Sequence, residues 1–301
     1  MPPFLRSTPV VIVGLWTIWS VAFIAIKVGL TAATPELFAL LRVVAAVLIL
    51  IVIVGVRRAA QQHRVATPFG AHRICMALGI LNVAGFLIFQ NLGMVHASAG
   101  LSSVLIYTQP LLVAIAARFL LRERLTVRRL IGMSFGWVGV ILVVGAELEA
   151  GATPAISVVL LLLSAVCWSG GTLLFKRALA EGDVWRVLLW QNVYGVGPIA
   201  AVTLFRPGAA EFGAALVFGV LWAGVGASIA GFGLQYMLLR RGEASVVSSW
   251  IFAVPILAAF LGVVLLNEPF RVGLLLGASA VGVGIYLVNS TGRPAALPLD
   301  P

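Results

Sequence analysis

Residues 36–58 read ELFALLRVVAAVLILIVIVGVRR, and between Glu36 and Arg57 the only charge is Arg42. A helix of about 20 apolar residues crosses the ~30 Å hydrocarbon core of a bilayer. A run of this length with one interior charge therefore reads as a transmembrane helix.

The same texture recurs along the chain, giving spans near 9–28, 36–55, 74–95, 101–121, 128–145, 155–176, 186–205, 214–238, 245–266 and 272–290. Apolar residues make up 61% of the 301 positions and charged residues 10%, with a mean hydropathy of +1.12. A soluble domain of this size needs far more charge on its surface. Ten spans of about 20 residues use about 200 positions, which leaves short loops and no room for a soluble catalytic or nucleic-acid-binding domain. The expected fold is an all-α integral membrane protein of ten transmembrane helices. The first stretch is longer than a signal-peptide core and lacks a small-residue cleavage site, so it reads as a retained span. The Pro-rich tail at 291–301 reads as a disordered cytoplasmic segment.

The net charge of +10 would suggest a nucleic-acid partner in a soluble chain. Its distribution excludes that reading. Of the 20 Lys and Arg, all but Lys27, Arg42, Arg206 and Arg271 fall on one side of the spans. Such a bias marks the cytoplasmic face, so both termini are expected there. The partners expected are the lipid bilayer and a small-molecule substrate, with no nucleic acid. Cys75 and Cys167 both fall inside spans without metal-ligand spacing, so neither a metal nor a disulfide is expected.

The chain also repeats itself. Trp19, Ser20 and Lys27 recur as Trp168, Ser169 and Lys176, shifted by 149 positions; Gln90, Ala99, Ser103, Pro110, Glu123 and Gly132 recur as Gln235, Ala244, Ser248, Pro255, Glu268 and Gly277, shifted by 145. Two halves of five spans follow, residues 1–150 and 151–290. Five is odd, so the second half enters the membrane from the opposite side. Inverted repeats around a central cavity are a transporter architecture, because two similar halves can exchange inward- and outward-open arrangements.

The paired pattern of a proline followed thirteen residues later by a glutamate (Pro110 to Glu123, Pro255 to Glu268), then a Gly-rich helix, resembles the EamA-type permeases of the drug/metabolite transporter superfamily. Phe38-Ala39-Leu40-Leu41-Arg42 resembles the opening of that family's second span. Within the superfamily the chain is most similar to bacterial amino-acid exporters, including those for aromatic amino acids. The resemblance implies a ten-helix basket and a cavity lined by helices 1, 3, 4, 6, 8 and 9. It also implies export of small metabolites from a bacterial inner membrane.

A transport path needs polar or aromatic groups near the membrane midplane. Trp16, Trp19, Ser20, Phe23 and Lys27 share one face of the first helix, and Trp168 with Thr172 holds the matching depth in the sixth. Asn82, Phe86 and Gln90 recur at i, i+4 and i+8 in the third helix, and Tyr107 precedes Pro110 in the fourth. Gln235 and Ser248 lie in the eighth and ninth. Trp16, Trp19, Ser20, Asn82, Phe86, Gln90, Tyr107, Trp168, Thr172, Gln235 and Ser248 are the candidate substrate-binding residues. Interhelical hydrogen bonding would satisfy the polar ones without a ligand. Pro110 and Pro255 should kink their helices in mid-span and serve as hinges. The motifs Gly132-xxx-Gly136 and Gly273-xxx-Gly277 suit close helix contact.

All ten carboxylates fall at span ends, in loops or in the tail. No acid for a proton relay is visible, so facilitated efflux or exchange is expected. Arg42 suits a substrate carboxylate or a structural bond to headgroups and helix carbonyls, and the structural role is preferred. An intramembrane enzyme would need an acid/base pair, metal cluster or activated nucleophile, and none is apparent; no cofactor is expected. The alternatives are a drug, nucleoside or purine exporter and, more remotely, a structural membrane protein. Ten helices can enclose a complete cavity, which favours a monomer, with a dimer the alternative.

Overall fold

The computed structural model describes residues 8–60, 69–123, 126–149, 151, 153–179, 182–251, 253–269 and 272–289. The tail expected to be disordered, 291–301, lies outside them. Among the described residues the chain is helical, apart from an isolated bridge between Ala33 and Ala210.

Two uninterrupted rods come first, α1 (Thr8–Leu30) and α2 (Pro35–Ala60). A third rod joins α3 (Phe69–Leu78) to α4 (Phe86–Met94) through a π-helical stretch, Gly79–Gly85. The fourth is broken at Tyr107 and Thr108 into α5 (Ala99–Ile106) and α6 (Gln109–Leu120), and α7 (Val127–Glu149) follows. The same order then recurs. α8 (Ala155–Ala178) and α9 (Val184–Phe205) are continuous, and α10 (Ala214–Val220) reaches α11 (Phe232–Arg241) through the π-helical stretch Leu221–Gly231. α12 (Ala244–Ser249) and α13 (Ala253–Leu266) form the broken rod, and α14 (Val272–Asn289) closes the series.

Eight of these segments are long and apolar enough to cross a membrane, and Leu130–Leu142 and Leu275–Gly284 are shorter apolar stretches. The expected count of ten is thus met by length and composition in eight. Burial is inverted relative to a soluble protein. Leu48, Val52, Ile141 and Phe260 are exposed, while Asn82, Gln90, Asn91, Gln109, Gln191 and Gln235 are buried. Hydrocarbon around the rods favours this arrangement, because polar side chains find partners only inside.

Rods at matching places in the series pack on one another: α2 on α9, and α7 on α14. α5 lies against α13 and α6 against α12, so the two broken rods run antiparallel. The α7–α14 seam is close. A Cβ on Gly284 would meet the Gly132 carbonyl oxygen and lie 2.6 Å from the Gly136 nitrogen. Of the two glycine motifs, Gly132-xxx-Gly136 therefore serves the helix contact expected of it.

The prolines do not bend continuous helices as expected. Pro110 sits in the first turn of α6 and Pro255 in the first turn of α13, each just after a break. First-turn N–H groups have no intrahelical acceptor, so a residue without an N–H is tolerated there.

Both broken rods end alike. Arg122 (φ 57°) and Asn267 (φ 54°) adopt the left-handed conformation. The next residue's N–H returns to the helix, Glu123 to Ala117 at 3.2 Å and Glu268 to Gly262 at 3.1 Å. Each bond passes a left-handed residue and reaches back six positions, one farther than the long-range bond of a Schellman cap. Each turns its rod back so that a glutamate follows immediately.

Candidate functional site

The Trp19 and Trp168 indoles meet edge to face at the centre of the molecule, with centroids 5.3 Å apart and an interplanar angle of 84°. Tyr107, at the break in the fourth rod, stands 5.4 Å from Trp168 and 6.5 Å from Trp19. Phe86 lies 5.6 Å from Trp168, Phe232 lies 6.1 Å from Trp19, and Phe23 lies 6.2 Å from Tyr107. These six rings border a cavity of about 30 Å³, with Arg42, Gln90 and Ser228 as its polar wall. That volume admits one or two waters. An amino acid enters only if the rings part.

The local backbone explains the placement. A Cβ on Gly231 would collide with the Trp19 Nε1 atom, so glycine seats the indole against the π-helical stretch. Trp19 Nε1 donates to the Ala227 carbonyl there at 3.5 Å, and Ser228 Oγ donates to the Ala223 carbonyl five residues back at 3.0 Å. Trp168 Nε1 donates to Gln235 Oε1 at 3.4 Å. Both indoles are thus tied to the rod that carries the second π-helical stretch. Such irregular turns recur at functional sites.

Five candidate residues line the cavity: Trp19, Phe86, Gln90, Tyr107 and Trp168. The other six stand outside its lining. Trp16 donates to the Trp250 carbonyl at 2.7 Å and Ser20 to the Val254 carbonyl at 3.3 Å, which fastens α1 to the ninth rod around its break. Asn82 donates to the Tyr236 hydroxyl at 2.8 Å, and Thr172 accepts from Gln109 Nε2 at 3.1 Å. Gln235 supports Trp168 from behind. Ser248 is buried in α12, its Oγ without a hydrogen-bond partner among the described residues. Sequence reasoning missed Phe232 and Ala227. A π-helical stretch rotates the register, so 3.6-residue periodicity does not carry across it.

Two polar pairs occupy matching places in the two halves. Arg42 Nη1 donates to Asn91 Oδ1 at 3.0 Å and to Gln90 Oε1 at 3.5 Å, and Nη2 donates to the Ala223 carbonyl at 3.4 Å. In the second half the Tyr236 hydroxyl donates to Gln191 Oε1 at 2.7 Å. The shifts of 149 and 145 carry Arg42 onto Gln191 and Asn91 onto Tyr236.

Away from the cavity, the ends of the broken rods are bridged. Glu268 Oε1 accepts from the Ala99 N–H at 2.7 Å, at the start of α5. Glu123 Oε1 accepts from the Ala244 N–H at 2.8 Å and Oε2 from the Ser245 N–H at 3.3 Å, at the start of α12; the Ser245 hydroxyl also donates to Oε2. Lys27 Nζ donates to the Met94 and Ala97 carbonyls at 3.1 and 3.0 Å, and Lys176 Nζ to the Leu239 carbonyl at 2.6 Å. Carboxylates at helix N-termini and ammonium groups at C-terminal carbonyls are favourable on both counts, charge and unsatisfied backbone. Among the described residues, no three His, Cys, Asp or Glu gather as a metal site.

Known proteins share this organisation. The family described as EamA-like transporters matches twice, over residues 7–145 and 155–290. The Bacillus subtilis (strain 168) protein named "Uncharacterized transporter YvbV" is 28% identical over 288 residues, covering 95% of this chain and 92% of that one. The Escherichia coli (strain K12) protein named "Probable amino-acid metabolite efflux pump" is 24% identical over 280 residues, covering 90% of each. A crystal structure at 19% identity superposes with a TM-score of 0.73 over 96% of this chain and 99% of that one, which shows a shared fold. With both halves matched, the chain belongs to the EamA-like transporter family of the drug/metabolite transporter superfamily, and it is a multi-pass membrane transporter.

Proposed function

We propose that this transporter exports small amphipathic metabolites, amino acids first among them, by alternating access about the Trp19–Trp168 cavity. The observation that carries this reading is the crossed pair of end bridges. Glu123, from residues 1–150, closes on the start of α12, and Glu268, from residues 151–290, closes on the start of α5. Because the two broken rods run antiparallel, the bridges lie at opposite ends. Opening one while the other holds would expose the cavity to one side at a time.

The reading treats the two halves as inverted five-helix repeats, with α7 and α14 as their fifth spans, and places both termini in the cytoplasm of a bacterium at its inner membrane. The breaks beside Pro110 and Pro255 supply flexing points on both sides. The six rings suit an apolar or aromatic body, and Gln90 and Ser228 suit a polar head. The amino-acid assignment is supported by the amino-acid efflux name of the Escherichia coli relative. The ring-lined cavity also favours a second reading, export of flat drugs or nucleosides. The reading takes a monomer as the transport unit, because ten helices of one chain can enclose a complete cavity, with a dimer as the alternative.

Counterflow in proteoliposomes tests the proposal. Vesicles are loaded with a mixed amino-acid pool, and uptake of labelled amino acids is followed with no ion gradient. Saturable exchange is expected. Folded protein that exchanges no amino acid would overturn the amino-acid assignment and leave the second reading in its place.

A further inference from the structure

Among the described residues that line the cavity, Arg42 alone carries a charge. It is 2% exposed, and its acceptors are neutral: Asn91, Gln90 and the Ala223 carbonyl. Among the described residues its Nε–H has no partner. The Phe38 ring lies 5.6 Å from the guanidinium. No carboxylate among the described residues pairs with it. A buried cation that meets only neutral dipoles is costly, and a donor left unsatisfied adds to that cost.

The second half shows that the architecture does not need this charge. The matching position is Gln191, a neutral amide satisfied by the Tyr236 hydroxyl. Two of the three hydrogen bonds of Arg42, at 3.5 and 3.4 Å, are long enough to be exchanged readily for a better acceptor. A planar guanidinium presents paired donors that fit a carboxylate.

We infer that Arg42 is a carboxylate subsite at one wall of the cavity, so that the transported molecule is a small carboxylate with an apolar or aromatic body. The carboxylate takes the free Nε–H and one Nη–H, displacing Gln90 or the Ala223 carbonyl, while the rings take the body. This inference rests on the proposed reading of the cavity as the transport site and narrows its substrate class.

The test compares acids with their amides. Purified full-length protein in detergent is titrated with leucine and phenylalanine, with leucinamide and phenylalaninamide, and with 4-methylvalerate, and its melting temperature is followed. The free acids are expected to stabilise the wild type at half-saturating concentrations at least about tenfold below those of the amides. Arg42→Gln, which copies the second half, should fold and lose that preference, while Arg42→Lys should keep part of it. Equal saturation by acid and amide in the wild type, no stabilisation by any acid, or an unchanged preference in Arg42→Gln would overturn the inference. Should Arg42→Gln fail to fold, an Arg42→Lys protein with an undiminished preference for acids would overturn the two-donor geometry. An acid preference that disappears in Arg42→Gln, together with no amino-acid counterflow, would sink the amino-acid export assignment and leave the carboxylate subsite standing.

Discussion

Glu123 holds the backbone N–H of Ala244 at 2.8 Å, and the same relationship, shifted by 145 positions in both partners, joins Glu268 to Ala99 at 2.7 Å. Each glutamate follows a left-handed residue, Arg122 or Asn267, that ends its rod. The two caps therefore share one construction, and each is made by the other half's carboxylate. A hydrogen bond to a charged group contributes about 1.5–3 kcal/mol, enough to bias a two-state equilibrium by about 10-fold to 150-fold.

Glu123→Gln should loosen one end and Glu268→Gln the other. Each keeps an acceptor oxygen but loses the charge, so a shift of about 1–2 kcal/mol, or about 5–30-fold in the population open at that end, is expected. Labelling of single cysteines by a membrane-impermeant thiol reagent, added from each side of the vesicle, checks this. Equal effects of both variants on the same side would count against paired gates.

Trp19→Ala and Trp168→Ala should each lower the counterflow rate at least about tenfold. Truncating a buried tryptophan also costs stability, about 3–5 kcal/mol in soluble cores, so the rate must be normalised to folded protein. Trp168→Phe, which keeps a ring beside Tyr107 and Phe86 but drops the bond to Gln235, should fall between. Unchanged exchange in the folded alanine variants would show that the rings only pack helices.

Gly284→Ala should destabilise the α7–α14 seam by about 1–3 kcal/mol, because the added methyl meets the backbone of Gly132 and Gly136. Gly55→Ala is the control. Nothing lies within 4 Å of a Cβ at that position, so helix propensity alone should act, favouring Ala by up to about 1 kcal/mol. Melting temperatures in one detergent separate the two.

Arg122→Gly should stabilise the end of the fourth rod by about 1 kcal/mol, since a left-handed residue with a Cβ is strained and glycine is not. Asn267→Gly should gain less, because asparagine tolerates that conformation better. Urea-induced unfolding in mixed micelles reads the difference.

The apolar runs made the helical rods readable, because a bilayer demands length and apolarity in a single stretch. The repeat was readable from Trp19, Gln90, Pro110 and Glu123 with their partners. What escaped was local backbone. The π-helical stretches Gly79–Gly85 and Leu221–Gly231 leave no periodic trace, so Phe232 was missed and Asn82 was expected at a cavity from which it stands apart; Thr172, on the continuous α8, faces Gln109 instead. Pro110 and Pro255 were expected to bend helices that in fact break just before them. The shift of 145 had paired Glu123 with Glu268, yet only the antiparallel packing of the broken rods reveals that each reaches across to the other half. Arg42 was read as structural from its depth alone. Gln191 in the matching place follows from the shift of 149 alone; the company of neutral acceptors around Arg42 could be seen only in three dimensions.

Distances across the two caps test the central claim most directly. With Cys75 and Cys167 replaced by Ala, spin labels at Leu120 and Arg240 span the Glu123–Ala244 end, and labels at Val95 and Leu265 span the Glu268–Ala99 end. Pulsed electron paramagnetic resonance in lipid nanodiscs then gives both distance distributions for the wild type, Glu123→Gln and Glu268→Gln. Alternating access predicts opposite responses: the Leu120–Arg240 distance lengthens in Glu123→Gln while Val95–Leu265 stays short, and the reverse holds in Glu268→Gln. Both distances lengthening together, or neither changing in either variant, would contradict the account.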